Sequence, residues 1–461
     1  MATRTRRGTG SKEVVLASAS GMLAGLDAAS RPAPVALAAK GKARGAGKRR
    51  RKEDPAKRTA DALSAADGRR IGRALEQLKK KEIDPDILVS VDDQLASLLQ
   101  TELARISSEK GLVAPVGRPA KGAPVHAFAA EVDRFTTADW RGWLSVGVEK
   151  LLHLKKKPFL PPRPRPEPLP NRGRIAVLGD WGTGLYGAPV CAESIRRDAK
   201  TNGKFDVALH LGDVYYSGSS EEVWSRFLPV WPDDAACVNR ALNSNHEMYS
   251  GGEGYFGETL PAFDQKSSCV AMQNDHFLFV GLDTGYVEHD VSQAQADWLS
   301  ALVFRAKSAG RRVVLFSHHQ PYSLYETQGP KLTKKLSKLL NGRDILAWYW
   351  GHEHRCVIFD HHSKWDLLGR CIGHGGFPYP RDKFGKAKGA PVGGFTWYRV
   401  APRASGVPGG LVLDGPNKYL PKRKDEFGPN GYATLAYDGS TLVEQVHAAD
   451  GRVLHAFALA P

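Results

Sequence analysis

The chain has 461 residues, of which 42% are hydrophobic, and its formal net charge is +16. This length exceeds one ordinary core, so we expect two domains or one large domain with appendages. No apolar run is long enough to cross a bilayer, which argues against a transmembrane protein. The mildly apolar stretch at residues 14–26 makes a poor signal peptide, because Glu13 and several small residues dilute it.

The five cysteines are widely spaced and include no Cys-x-x-Cys pair. An odd number without paired spacing argues against a disulfide framework and against a zinc knuckle. We therefore expect free thiols and a reducing, cytoplasmic environment, with export as the weaker alternative.

Most of the positive charge lies in residues 1–60. This segment carries 15 lysines and arginines against four acidic residues, a net charge of +11. It is rich in Ala and Gly and poor in aromatic residues, which predicts a disordered tail. The basic run at residues 48–52 could contact nucleic acid or anionic lipid through counterion release. The alternative is a solvated tail without a dedicated partner.

Two further segments precede the main domain. Apolar residues recur at three- and four-residue intervals at residues 71–78 and 95–99, which predicts a small helical accessory region over residues 61–155. Seven prolines follow between Pro158 and Pro170. Such a stretch favours polyproline II, so we predict that residues 156–172 form a stiff linker.

From residue 173 onward, short β-type runs alternate with helical segments. This alternation predicts an α/β domain with a largely parallel sheet over residues 173–461, ending in three antiparallel strands. The predicted strands are 174–178, 207–211, 277–282, 313–316, 345–350, 433–437, 442–446 and 453–459, and the predicted helices are 191–200 and 294–307.

Five short motifs in this domain are rich in metal-ligating residues. Four of them directly follow predicted strands, and the carboxyl ends of parallel strands meet at one crevice. Oxygen ligands come first and imidazoles last, which is the inventory of a two-metal hydrolytic site. In chain order the motifs are Gly179-Asp180-Trp181-Gly182, Gly212-Asp213-Val214-Tyr215-Tyr216, Asn245-His246-Glu247, His318-His319-Gln320-Pro321 and Gly351-His352-Glu353-His354.

The residue types suit distinct roles in such a site. A carboxylate can bridge two cations and hold them about 3.5–4 Å apart. His352 and His354 could serve different metals from one loop. Tyr216 would bind as a phenolate only to a strongly acidic metal, which indicates a trivalent ion at one position. We interpret Tyr215 as a core residue and His210, inside its strand, as a packed histidine.

These motifs resemble the calcineurin-like metallophosphoesterase superfamily and, within it, the purple acid phosphatases. Most superfamily members have Asp-x-His in the first motif, where this chain has Asp180-Trp181-Gly182. Purple acid phosphatases also lack that histidine and use the tyrosine of a Gly-Asp-x-x-Tyr motif, which Gly212 to Tyr216 supplies. The resemblance covers about residues 173–458 and implies an αββα sandwich with a βαβαβ motif.

The resemblance also implies a role for each candidate ligand. His319 is preferred to His318, because the family's ligand stands two residues before a proline, here Pro321. His246 would hydrogen-bond phosphate and protonate the leaving group. One metal would be held by Asp180, Tyr216 and His354, and the other by Asn245, His319 and His352, with Asp213 bridging the two. The implied metals are Fe3+ with Fe2+, Zn2+ or Mn2+.

The implied reaction is hydrolysis of phosphate monoesters by in-line attack of a metal-bound hydroxide. One alternative keeps the site but changes the substrate, giving a phosphodiesterase that acts on cyclic nucleotides or phospholipid head groups. Another is a polyanion-binding protein with a non-catalytic metal domain. A nucleophilic hydrolase is disfavoured, because the sequence has no Gly-x-Ser-x-Gly elbow.

Overall fold

The computed structural model describes residues 154–326, 330–385, 387–420 and 422–460, with a few residues between Gln94 and Thr101. The predicted tail (1–60) and nearly all of the predicted helical region (61–155) lie outside these residues. They stay predictions, as does any contact of the tail with nucleic acid or lipid. From Lys155 onward the described residues belong to one compact unit. No helix among the described residues is long and apolar enough to span a membrane.

The described residues form two β-sheets, of which one has six strands in the order β16-β15-β14-β2-β3-β4. Strands β2, β3 and β4 pair in parallel, and the other three pairings are antiparallel. The strands are β2 (Arg172–Leu178), β3 (Phe205–His210), β4 (Ala236–Ala241), β14 (Gly431–Asp438), β15 (Thr441–Ala448) and β16 (Val453–Ala460).

The other sheet has ten strands in the order β1-β5-β6-β7-β8-β10-β9-β13-β12-β11. Its centre, β6 to β8 and β10, is parallel. The strands are β1 (Glu167–Pro168), β5 (Val270–Gln273), β6 (Phe277–Leu282), β7 (Arg312–Ser317), β8 (Ala347–Trp350), β9 (Cys356–Phe359), β10 (Leu368–Ile372), β11 (Gly389–Val392), β12 (Phe395–Val400) and β13 (Gly410–Asp414).

The sheets pack face to face with helices outside them. Helix α1 (Ala188–Asn202) contributes to a core cluster on the outer face of the six-stranded sheet. Helix α2 (Gln293–Ser308) does the same for the ten-stranded sheet, and a third cluster fills the space between the sheets. These layers confirm the predicted sandwich. Shorter helical turns are Ser220–Glu222, Val223–Phe227, Asp233–Ala235, Asn245–Tyr249, Tyr255–Thr259, Leu260–Ala262, Lys331–Lys335 and Ser337–Asn341.

The expectation of a largely parallel sheet is wrong, because both sheets are mixed. The strands that follow β8 are joined mainly by short connections, as at Gly393–Gly394 between β11 and β12. A short turn can join only antiparallel neighbours, whereas parallel pairing needs a long crossover. The parallel strands are accordingly those whose connections contain helices or long loops.

The proline-rich segment lies along the domain and is not a free spacer. Glu167–Pro168 pairs with β5, and Glu167 forms a 2.6 Å ion pair with Arg240. Farther upstream, the Lys157 amide donates to the Gly251 carbonyl at 2.8 Å. Proline tolerates the edge of a sheet because an edge strand can do without some amide donors. The predicted linker is therefore attached to the domain that it precedes.

A buried ion pair connects the two sheets. Arg370 on β10 donates from Nε to Glu444 Oε1 on β15 at 2.7 Å, and both side chains are at most 2% exposed. Tyr349 on β8 donates to the other carboxylate oxygen of Glu444 at 2.6 Å. The carboxylate is thus satisfied from two strands of the facing sheet.

Candidate metal centre

The loops that follow the parallel strands of both sheets converge on one crevice. Asp180, Asp213 and Asn245 follow β2, β3 and β4 of the six-stranded sheet. His319 and His352 follow β7 and β8 of the ten-stranded sheet. Because the His352 amide donates to both oxygens of Asp180, at 3.0 and 2.8 Å, the two sets of loops meet directly.

Four residues in this crevice have left-handed backbone conformations. The φ angles are 53° at Asp180, 79° at Asp213, 70° at His352 and 53° at His354. Asp and His are among the few side chains enriched in this region of φ/ψ space, which is otherwise unfavourable for residues with a Cβ. Each residue therefore lies at a sharp change of chain direction, which is where a strand end can turn its side chain into the crevice.

One side of the crevice is rich in oxygen atoms. The Tyr215 hydroxyl lies 2.7 Å from Asp213 Oδ2, 2.9 Å from His354 Nε2 and 3.4 Å from Asp180 Oδ1. His354 Nε2 is itself 3.4 Å from Asp180 Oδ1. Two buried carboxylates, a phenol and an imidazole thus surround one small volume.

The phenol in this cluster belongs to Tyr215, where the sequence had indicated Tyr216. The Tyr216 amide donates to Glu222, its carbonyl contacts His246 Nδ1, and its ring lies 5.0 Å from the Arg226 guanidinium carbon. The Tyr215 hydroxyl, by contrast, contacts Asp213 and His354 directly. Tyr215 therefore lines the site, contrary to its interpretation as a core residue, and its hydroxyl becomes the candidate ligand in place of that of Tyr216.

Both histidines of the fourth motif line the site. His318 Nε2 lies 3.3 Å from Asp213 Oδ1 and 3.1 Å from His352 Nδ1. His319 contacts a different neighbour, with Nδ1 at 2.9 Å from Thr284 Oγ1. The motif favours His319 over His318 as a ligand, but His318 contacts the central carboxylate of Asp213. The His319 ring forms a group with the rings of His289 and His352.

His289 belongs to the group that also includes His319 and His352, and no sequence motif predicts its role. Its ring centroid lies 4.0 Å from that of His319 and 5.2 Å from that of His352. His289 belongs to no motif, but it lies in the loop that follows β6. Its position at the carboxyl end of a parallel strand is the one signal that could have identified it.

Two buried polar atoms in the site indicate that its residues fit metal ions. Within the described part of the chain, Asn245 Oδ1 and His319 Nε2 have no hydrogen-bond partner. The Asn245 amide nitrogen donates to the Tyr249 hydroxyl at 3.0 Å, which leaves the amide oxygen as the group facing inward. Unsatisfied buried acceptors are rare in native proteins and call for a specific explanation, such as an ion. A bound cation is a partner that both kinds of atom accept.

Burial sets the protonation of the imidazoles. It lowers the pKa of His318 to about 3, and it holds the pKa of His319 well below its usual value, with further lowering by His352, His318 and His289. Both rings are neutral at ordinary pH as a result. A neutral imidazole has a lone pair available for a metal, which is the form that metal binding requires.

The two carboxylates respond to burial differently. Burial and the neighbouring Asp213 charge raise the pKa of Asp180 well above its usual value. Burial acts on Asp213 in the same direction, but His318, His246 and His354 outweigh it and hold the Asp213 pKa well below the usual range. Two carboxyl groups this close together resist ionising at the same time, and bound cations would stabilise the form in which both are ionised.

His246 lies at the side of this centre. Its side chain is 1% exposed, Nδ1 contacts the Tyr216 carbonyl, and Nε2 lies 4.0 Å from Asp213 Oδ2. A donor bond from Nδ1 to that carbonyl fixes the ring and leaves Nε2 directed at the site. His210, by contrast, packs among Trp181, Phe227 and Trp231, as expected.

Residues 173–356 match the family model described as calcineurin-like phosphoesterase. The matched range includes all the candidate ligands. A comparison with curated proteins gives no match.

Solved structures similar to the chain include GAP50, the anchor in the inner membrane complex of Plasmodium. It is 13% identical, with a TM-score of 0.43, and the similarity covers 63% of this chain and 89% of GAP50. A dimetal phosphatase from Danio rerio is 12% identical, with a TM-score of 0.38 and coverage of 62% and 98%. Vps29 from Entamoeba histolytica, complexed with zinc, is 10% identical, with a TM-score of 0.26 and coverage of 62% and 99%.

Proposed function

We propose that this chain is a dinuclear-metal phosphoesterase that hydrolyses phosphate monoesters, as purple acid phosphatases do. The observation that carries the proposal is the convergence of the buried Asp180 and Asp213 carboxylates with the unsatisfied Asn245 Oδ1 and His319 Nε2. Oxygen and nitrogen donors of this kind suit first-row transition metals. The proposal retains every ligand indicated by the sequence except Tyr216, which Tyr215 replaces.

The donors divide into two sets with Asp213 between them. Asp180, Tyr215 and His354 would hold one metal, and Asn245, His319 and His352 the other. His318 would support both sets through its contacts with Asp213 and His352. When bound, two cations neutralise the phosphate, orient it and lower the pKa of a bound water to about 7.

The residues around the metals have separate tasks. Asp213 would fix the distance between the two metal positions. His246 is held by the Tyr216 carbonyl with Nε2 toward the site, so it can hydrogen-bond the phosphate and give a proton to the leaving oxygen. A phenolate donor such as Tyr215 is suited to a ferric ion, which supports iron in the oxygen-rich position with Fe2+, Zn2+ or Mn2+ in the other.

A phosphodiesterase of the same superfamily would use the same centre. The two differ in whether the pocket accepts a second ester group, so turnover of both substrate types must be compared.

All five cysteines are free thiols, which agrees with the proposed cytoplasmic location.

Metal analysis and a visible absorption spectrum of aerobically purified protein, alongside monoester and diester assays, test the proposal. We expect about two metals per chain, a tyrosinate-to-iron band and faster turnover of the monoester. Two metals with diester turnover and no such band would move the protein to the broader phosphoesterase class. A protein without metal and without hydrolysis would contradict the proposal altogether.

A further inference from the structure

We propose that His289 is an additional ligand of the imidazole-rich metal position, which makes that position a three-histidine site. This inference rests on the proposed function, because it concerns one of the two metals of the same centre. The ligand nitrogens of His289, His319 and His352 all lie within 4.8 Å of one another. At this spacing, small side-chain shifts would bring the three nitrogens to the usual distance of about 2.0–2.1 Å from one ion.

The state of His319 supports this position for the ion. Its Nδ1 is engaged with Thr284 Oγ1, so Nε2 is the nitrogen that remains for a ligand. That Nε2 atom is buried and has no hydrogen-bond partner among the described residues. The centroid of the His289 ring lies 4.0 Å from the centroid of the His319 ring that carries this atom. An ion bound there would be shared by both rings.

Contacts of the neighbouring residues stabilise the loop after β6 on which His289 lies. The Asp290 amide donates to the Val287 carbonyl at 2.9 Å, which closes a tight turn. Lys335 Nζ then bonds Asp290 Oδ2 at 2.6 Å. His289 itself has φ of 54°, the left-handed conformation also found at four residues of the centre.

The additional imidazole has a consequence for metal choice. With His289, the position has three nitrogen donors, the amide oxygen of Asn245 and the carboxylate of Asp213 that it shares with the other position. Imidazole nitrogens suit zinc, whereas carboxylate-rich sites suit harder ions. We therefore expect His289 to favour Zn2+ over Mn2+ at this position.

Cobalt titration of the full-length chain, stripped of metal, tests the inference by affinity and by the visible Co2+ spectrum. His289→Gly removes the imidazole and suits the left-handed backbone, and His289→Ala is the second variant. Both should retain one Co2+ as in the wild type and bind the other at least about tenfold more weakly, because even groups behind the ligands contribute that much. We also expect the visible Co2+ spectrum of these variants to differ from that of the wild type, and their preference for Zn2+ over Mn2+ to be smaller.

The matched control is His361→Gly, which removes an exposed histidine whose partner is Asp366. It should bind two Co2+ like the wild type. Variants of His289 that bind both ions with wild-type affinity and spectrum would overturn the inference, even if hydrolysis falls. A wild type that binds two Co2+ but hydrolyses no phosphate ester would contradict the proposed function and leave this inference standing.

Discussion

The two sheets contribute different chemistry to the same crevice. The six-stranded sheet supplies oxygen donors, namely Asp180, Asp213, Tyr215 and Asn245, from the loops after β2, β3 and β4. The ten-stranded sheet supplies imidazoles from the loops after β6, β7 and β8, namely His289, His318, His319, His352 and His354. The centre is therefore a property of the interface between layers, since each sheet alone has only one class of ligand.

Replacement of Asp213 should have the largest effect on the centre, because this residue contacts residues from both sheets. One of its oxygens lies 2.7 Å from Tyr215 of its own sheet, and the other lies 3.3 Å from His318 of the facing sheet. Asp213→Ala should release metal from both positions and lower the monoesterase rate by at least about 10³-fold, because metal ions supply several kcal/mol of transition-state stabilisation. Metal content and turnover check this, with the exposed Asp264→Ala as control. Retention of two metals would show that Asp213 is not shared.

His246 tests whether a residue beside the ligands acts in the chemistry alone. His246→Ala should keep both metals and lower the rate by roughly 10²–10⁴, the usual contribution of a general acid. The loss should be smaller for an ester with an acidic leaving group, which needs no proton. Metal analysis and rates for a nitrophenyl and an alkyl phosphate provide the comparison. Equal losses on both esters would exclude His246 as the proton donor.

The Arg370–Glu444 pair tests how the two layers are held together. Arg370→Met leaves the Glu444 carboxylate buried without its cation, which should cost about 3–5 kcal/mol in free energy of unfolding. Urea unfolding measures the change, and the activity of the folded fraction should remain. The double variant Arg370→Met, Glu444→Leu should recover much of the stability, because it removes the stranded charge. An equally unstable double variant would point to packing as the cause.

The tyrosine pair gives the smallest expected effect and the sharpest comparison within one sheet. Tyr215→Phe removes a hydroxyl that contacts Asp213 and His354. The loss of a hydrogen bond to a charged group should lower the free energy of unfolding by about 1.5–3 kcal/mol. It should also abolish the visible band of an iron-loaded protein. Tyr216→Phe should preserve both the band and the rate. The opposite outcome would restore Tyr216 as the ligand.

Strong hydrophobic patterns made much of the fold predictable. The predicted strand 277–282 coincides with Phe277–Leu282, and the predicted helix 294–307 lies within Gln293–Ser308. Strands β11 to β13 were missed because this region, rich in Gly and Pro, reads as a surface insertion. Its strands gain their order from pairing with β9, far away in the sequence, which local patterns do not contain.

The candidate site was predictable only where a motif names the residue. Spacing identified Asp180 and Asp213 but could not decide which of two adjacent tyrosines faces them. That choice depends on the direction of the backbone beyond Val214, which forms an isolated parallel bridge with Gly182. His289 belongs to no motif, and only the fold brings it beside His319.

The left-handed backbone at Asp180 and Asp213 has a consequence for how this chain can change over generations. Asn tolerates the same conformation and has nearly the same shape, but it lacks the negative charge. A single Asp-to-Asn replacement can therefore silence the chemistry without disturbing the turn that supports it. Catalysis and folding are separable at these positions. A descendant of this protein could therefore keep the fold, lose the activity and have a different function.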